Sequence, residues 1–202
     1  MGTSRILAIA AFAAVLAVSS VSAQAQTQRL RGTIERVDGN TLFAKARDGA
    51  AITLNLADNT TVVAVYKATL ADIKEGDYIG SGAMPQADGS QKALEVHIFA
   101  PSMRGQGDGH RPWNGAPDST MTNGAVGNIV SGVDGQIVLV KYKDGEKKII
   151  VGPETPIVRY EAGTKDDIKG GAAFSVVAAT RQPDGTFTAA RISVGRDGGI
   201  PI

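Results

Sequence analysis

The chain contains the same sequence pattern twice, and that duplication limits its fold more than any single residue does. Val37-Asp38-Gly39 returns as Val133-Asp134-Gly135, and Arg47-Asp48-Gly49 as Lys143-Asp144-Gly145. Asp72-Ile73-Lys74-Glu75-Gly76 returns as Asp167-Ile168-Lys169-Gly170-Gly171, and Gln86-Ala87-Asp88-Gly89 as Gln182-Pro183-Asp184-Gly185. The offset stays at 95 or 96. Solenoid units are about 20–50 residues long, so this period points to a duplicated domain, with one copy in 26–100 and the other in 125–195.

Each copy reads as short strands. Ile52, Leu54 and Leu56 alternate with Thr53 and Asn55, the period of a half-buried strand. Ile137–Tyr142 and Ile149–Val151 sit at matching places in the second copy. Asp-Gly occurs three times in each copy, at 38, 48, 88, 134, 144 and 184, and it favours the left-handed backbone of tight turns. One interruption recurs: Thr69–Gly76 and Thr164–Gly170 each read as a single helical turn with Thr as N-cap, laying Ile73 or Ile168 over a barrel end. The expected fold is all-β: two tandem small OB-like barrels, each with one short helical turn, joined by a Gly/Pro-rich linker. OB barrels often bind oligonucleotides and sugars, but a fold alone assigns no role.

The ends add a compartment. Arg5, the apolar run Ile6–Val18 and the small residues up to Ala25 have the layout of a secretory signal peptide over 1–25, cleaved after Ala23 or Ala25. The run is shorter than the roughly 20 residues of a spanning helix, and no later run is long enough either. The expectation is an exported periplasmic protein with no membrane span after cleavage and a short tail at 196–202. Cysteine is absent, which excludes disulfides, a thiol nucleophile and thiolate metal ligands. Residues 26–100 hold 8 basic and 9 acidic side chains, and residues 125–202 hold 10 and 9. This balance gives no reason to expect nucleic acid as a partner.

Between the copies runs Arg104–Gly124, RGQGDGHRPWNGAPDSTMTNG, within a linker at 101–124. It holds the only Trp, Trp113, and one of two His, His110. Met103, Pro112, Trp113, Pro117 and Met121 bring more apolar surface than a bare tether needs, so the linker is expected to dock, with Trp113 buried beside His110 and Arg111.

With its Asp-Ile-Lys-x-Gly turn, its Gln-x-Asp-Gly hairpin and Ala93–Phe99, the repeat resembles an uncharacterised OB-like domain family of exported bacterial proteins. The linker residues Gly109–Trp113 and Ser119–Asn123 are similar to those of a two-domain proteobacterial subgroup. The resemblance implies architecture and compartment and brings no activity with it. Some relatives bear the name "metal ABC transporter permease", which does not suit a chain without several spans.

The chemistry in the sequence is sparse. His97, His110 and Asp108, with Glu95 and Asp118 as further candidates, could ligate a transition metal, but no His-x-x-x-His spacing supports them. Leu94, Val96 and Ile98 are expected on one face of their strand, which leaves Glu95 and His97 on the outer, solvent-facing one. No Gly-x-Ser-x-Gly elbow occurs, Gly105–Gly109 lacks the Gly-Lys-Ser/Thr ending of a phosphate loop, and Asp166-Asp167 belong to the helical turn. The expected role is therefore non-enzymatic. It is that of a binding or envelope-accessory protein for an unknown small ligand or envelope protein, with no cofactor. The cleft beside the linker is the first place to look, through Asp108, His110, Arg111 and Trp113. The alternative is a metal-binding protein using His97 and His110.

Overall fold

The computed structural model describes residues 27–132 and 135–201. The expected signal segment at 1–25 and Val133-Asp134 of one turn lie outside the described residues. Twelve strands run through the described residues: β1 (Thr27–Asp38), β2 (Thr41–Ala46), β3 (Ala51–Ala68), β4 (Tyr78–Pro85), β5 (Gln91–Phe99), β6 (Gly109–Pro112), β7 (Thr120–Gly132), β8 (Gly135–Tyr142), β9 (Gly145–Val151), β10 (Ile157–Ala162), β11 (Ala173–Arg181) and β12 (Phe187–Gly195). The only helical pieces among the described residues are three 3-10 turns, at Leu70–Asp72, Pro101–Met103 and Lys165–Asp167. The six Asp-Gly glycines of the repeats, Gly39, Gly49, Gly89, Gly135, Gly145 and Gly185, all have positive φ, from 55° to 155°, as such turns require. Both expected helical turns form. At the first, the Thr69 backbone N–H and hydroxyl both donate to Asp72 Oδ2, at 2.8 and 2.7 Å.

All twelve strands belong to one continuous sheet. Five of them, β1, β2, β3, β12 and β11, close into a mixed barrel in which β12 runs parallel to β3 and the other neighbours are antiparallel. Its core joins Leu30, Ile34, Leu42 and Leu54 of the first copy to Phe174, Val176, Ile192 and Val194 of the second, with Ile168, at the end of the 3-10 turn Lys165–Asp167, packed among them. The other seven strands flank it. Of these, β5, β4, β7, β8 and β9 are paired in that order, and β9 meets β5 again only through Gln91↔Ile149 and Lys92↔Ile150. They wrap a second core of Ile73, Ile79, Val96 and Ile98 with Val126, Val138 and Ile149. The tandem layout expected from the repeat is therefore not the one formed. The last two strands of each copy have crossed into the first strands of the other.

The reason for the crossing lies in β3 and its counterpart. β3 runs 18 residues without a break, whereas the equivalent stretch is split into β9 and β10 around Pro153 and Pro156, which cannot donate to a ladder. The second half of β3 pairs antiparallel with β10, from Ile157↔Ala68 to Ala162↔Val63. Near the centre of that ladder, Val65 faces Tyr160, and these two are each other's repeat counterparts. Outside them β12 joins β3 and β5 joins β10, both parallel, so Val63↔Ser193 answers Val158↔His97. The arrangement has the self-complementarity of a two-fold interface, here within one chain. The unbroken β3 carries the chain from β2 to the seam with β10, and the strands after it, β4 and β5, pair with β7 and β9 of the other copy.

The repeat offset also needs correction at one end. Gly32 and Gly124 occupy equivalent places, where an added Cβ would meet the carbonyl of Lys45 and of Lys141 respectively. The first strands therefore match at an offset of 92 rather than 95 or 96. The β7–β8 hairpin is longer than β1–β2, and β7 begins at Thr120, inside the expected linker. The tail is fastened too: Arg196 donates from its backbone to Val65 and from its side chain to Tyr66, and pairs with Asp167 at 2.9 Å.

Candidate functional site

β12, β3, β10 and β5 lie side by side at the seam between the copies. On one face of this floor, under the linker, is a cavity of about 670 Å³. Glu95, His97 and Phe99 of β5, Tyr160 of β10, and Arg191 and Ser193 of β12 form its floor. Arg29 of β1 with Ser175 and Val177 of β11 make one wall, and Met121 and Asn123 of β7 another. The linker from Gln106 to Asn114 supplies the roof, with Arg111 and Trp113 lining it.

Strand alternation sets the β5 face. Val96 and Ile98 are fully buried in the second core, so Glu95 and His97 point the other way, as expected. A bulge opposite Gly82 and Ala83 leaves Leu94 unpaired, and Leu94 is exposed while Ala93 turns inward. The expectation that His97 faces solvent is corrected. It is 8% exposed, and Glu95 is 9% exposed, because the linker covers that face. The His97 ring stacks on Tyr160 at 4.8 Å and stands edge-on to Phe99 at 6.4 Å. Its Nε2 lies 3.1 Å from Glu95 Oε1. The contact is ionic in distance but poorly aligned, and among the described residues Nε2 has no hydrogen-bond partner. Asn123 Oδ1 is a second buried polar atom on the cavity wall without one. The Tyr160 phenol is held well above its usual pKa, first by burial and then by the charge of Glu95. It therefore stays protonated and able to donate. Desolvation likewise lowers the guanidinium pKa of Arg31 and of Arg191, although the Arg191 residue as a whole is exposed.

The linker docks as expected, although Trp113 is half-buried rather than buried. β6 pairs with β7 from Gly109↔Asn123 to Pro112↔Thr120. Arg191 donates to Gln106 Oε1 at 3.0 Å, Asn123 to the Gln106 carbonyl at 2.9 Å, and Arg29 to Asn114 Oδ1 at 3.3 Å. Arg111 closes the loop on itself, donating to the Gly107 carbonyl at 2.8 Å. The Trp113 ring lies against the backbones of Gly82 and Gly115, and a Cβ at Gly82 would stand 2.5 Å from Trp113 Cζ3.

Of the four residues expected to bind ligand, Arg111 and Trp113 line the cavity and His110 and Asp108 do not. Successive residues of β6 point to opposite faces. His110 turns away, with Nδ1 2.8 Å from the Thr122 hydroxyl and its ring stacked on Tyr142. Burial, and after it the charge of Lys147, lowers the His110 pKa. Asp108 accepts from the Lys143 backbone at 2.9 Å and from the Tyr78 hydroxyl at 3.1 Å. Burial and that hydrogen bond push the Tyr78 phenol up to about 12. The metal set is thus divided: His97 lies in the cavity, and His110 and Asp108 belong to the linker segment that roofs it, the strap, and do not line the cavity. Among the described residues no group of three or more His, Cys, Asp or Glu is placed to hold a metal ion. No helix among them is long and apolar enough to cross a membrane.

No protein-family model, curated protein or solved structure matches the chain. Its site must be read from its own chemistry. Arg29, Tyr160 and Arg191 were not singled out as binding residues in the sequence. The available signal was that Glu95 and Arg191 hold the same position in the two repeats, 96 residues apart. Two tandem barrels would have kept them on separate barrels.

Proposed function

We propose that the mature chain is an exported, periplasmic binding protein, non-enzymatic, whose ligand occupies the cavity beneath the strap. The observation that carries this reading is the cavity's make-up. It is a space of about 670 Å³, within the usual range for small-molecule sites. Polar groups from both repeats converge on it, and two buried polar atoms in its lining, His97 Nε2 and Asn123 Oδ1, have no partner among the described residues. Both atoms are enclosed by the lining, so a ligand reaches them only if the lining shifts; the polar groups it meets directly include the side chains of Arg29, Arg111 and Arg191. Support for binding over catalysis comes from His97. Ser175 and Ser193 share the cavity with it, yet among the described residues its Nε2 bonds to no serine and faces Glu95 instead. That geometry lacks the nucleophile–base contact of hydrolytic catalysis. The export step rests on the layout of residues 1–25 and the OB-like ancestry of each copy on its strand and turn pattern; both belong to this reading.

The test uses mature protein purified without denaturation from a periplasmic fraction. Native mass spectrometry is expected to find a co-purifying small molecule. Returning it to stripped protein should raise the melting temperature and change the emission of Trp113, the sole tryptophan. Protein that carries nothing, and that shows no change in Trp113 emission with any fraction of a periplasmic small-molecule extract, would count against the reading.

A further inference from the structure

We infer that the ligand of this cavity is a small organic anion whose carboxylate or phosphate group is held by Arg29, Arg111 and Arg191 and whose body is apolar and flat. This deepens the binding reading above and rests on it. Three guanidinium groups line the cavity against one carboxylate, Glu95, and that carboxylate already faces His97. Among the described residues none of the three arginines is ion-paired. Each makes one side-chain bond, and in every case the acceptor is a neutral oxygen of the strap: Asn114 Oδ1 for Arg29, the Gly107 carbonyl for Arg111, Gln106 Oε1 for Arg191. A guanidinium has five N–H donors in a planar fork, so most of the donor capacity around the cavity is unused. That fork matches the paired oxygens of a carboxylate or phosphate and gives short, charge-assisted bonds.

The rest of the lining sets the body of the ligand. Phe99, Met121 and Trp113 offer apolar surface, and Val177 is 68% exposed at the rim. Tyr160, kept protonated, adds one neutral donor. A bare inorganic anion would leave the aromatic surface bare, and a neutral aromatic would leave the three cations without a counter-charge. Arg29 and Arg191 also fasten the strap through Asn114 and Gln106, so an anion that engages their remaining donors binds where the strap is held.

The experiment titrates the mature chain with five fixed probes, following Trp113 emission and melting temperature. Benzoate and phenyl phosphate carry the inferred chemistry and separate carboxylate from phosphate. Benzamide is the neutral control, benzamidine the cationic one, and inorganic phosphate the anion without a body. Expected is saturable binding of benzoate, phenyl phosphate or both, at least tenfold tighter than benzamide and inorganic phosphate, with none of benzamidine, and weakening as salt rises. Arg111→Gln and Arg191→Gln should each weaken it at least tenfold, with Arg191→Lys recovering part of the loss. The melting temperature of each variant without probe confirms folding. Equal binding of benzamide or benzamidine, or binding indifferent to both Arg→Gln changes, would overturn the anion chemistry while leaving the cavity as a binding site. Failure of both organic anions to bind would also overturn it, and the periplasmic-extract test would then decide the binding reading alone.

Discussion

Gly82 has no side chain because the ring of Trp113 occupies the space one would fill. The clash from Gly82→Ala falls on aromatic ring atoms backed by Gly115, so relief requires the whole indole to move. The expected cost is that of overpacking, about 1–3 kcal/mol, seen as a lower melting temperature, together with a red shift of Trp113 emission as the ring leaves its seat. Unchanged emission would place the ring elsewhere. A second prediction at this scale concerns pH. The His110 pKa is lowered in the fold by burial and by Lys147, so on acidification the unfolded chain takes up its proton first, from about pH 6.5 downward. The stability contributed by neutral His110 is complete above that value and is lost as pH falls below it. Melting curves at pH 7.5 and 5.5 should show a larger acid loss for the wild type than for His110→Gln, and equal losses would refute the assignment.

Among the elements, the strap decides the site. The two shortest side-chain bonds to Gln106 come from Arg191 and Asn123, beside a longer one from the Tyr78 hydroxyl at 3.5 Å, and Gln106 lies two residues from the exposed Arg104. At about 1 kcal/mol each, removing both in an Arg191→Gln, Asn123→Ala variant should make local opening roughly thirtyfold easier and speed tryptic cutting after Arg104 in proportion. Equal cutting rates would show that the strap is held by something else. That the strap docks was legible in Trp113, Pro112 and Met121, residues unsuited to a free tether. The position of each side chain on it was not legible. It follows from β6 pairing with β7, which sends Arg111 to the cavity and His110 to Tyr142, and nothing in four residues around a proline announces a strand. The β5 face was read correctly from its alternation except at Leu94, where a bulge reverses the direction. The burial of His97 was hidden because it depends on the strap, which is distant in structure though close in sequence.

At the scale of the whole molecule, the copies, the strands and the Asp-Gly turns were all present in the sequence. Which copy's strands pair with which was not. Both layouts bury the same apolar faces, and the repeat makes the strands of one copy acceptable neighbours for those of the other. The length of β3 and the prolines that split its counterpart were the visible asymmetry, but their consequence is a long-range pairing that no local pattern encodes. The exchange shapes the proposed site: it brings β5 and β12 to one floor, and with them Glu95, His97 and Arg191. A tandem layout would have no such seam and no cavity for the strap to roof. Because the chain has no cysteine, a pair of introduced cysteines can report the pairing cleanly. Thr33 of β1 faces Ala173 of β11, whereas Ala125 of β7, which holds the place of Thr33 in the second copy, faces Tyr78. Exchanged strands predict that the Thr33→Cys, Ala173→Cys protein oxidises to an intramolecular cross-link and the Ala125→Cys, Ala173→Cys protein stays reduced. Cross-linking in the second protein and not in the first would contradict the account.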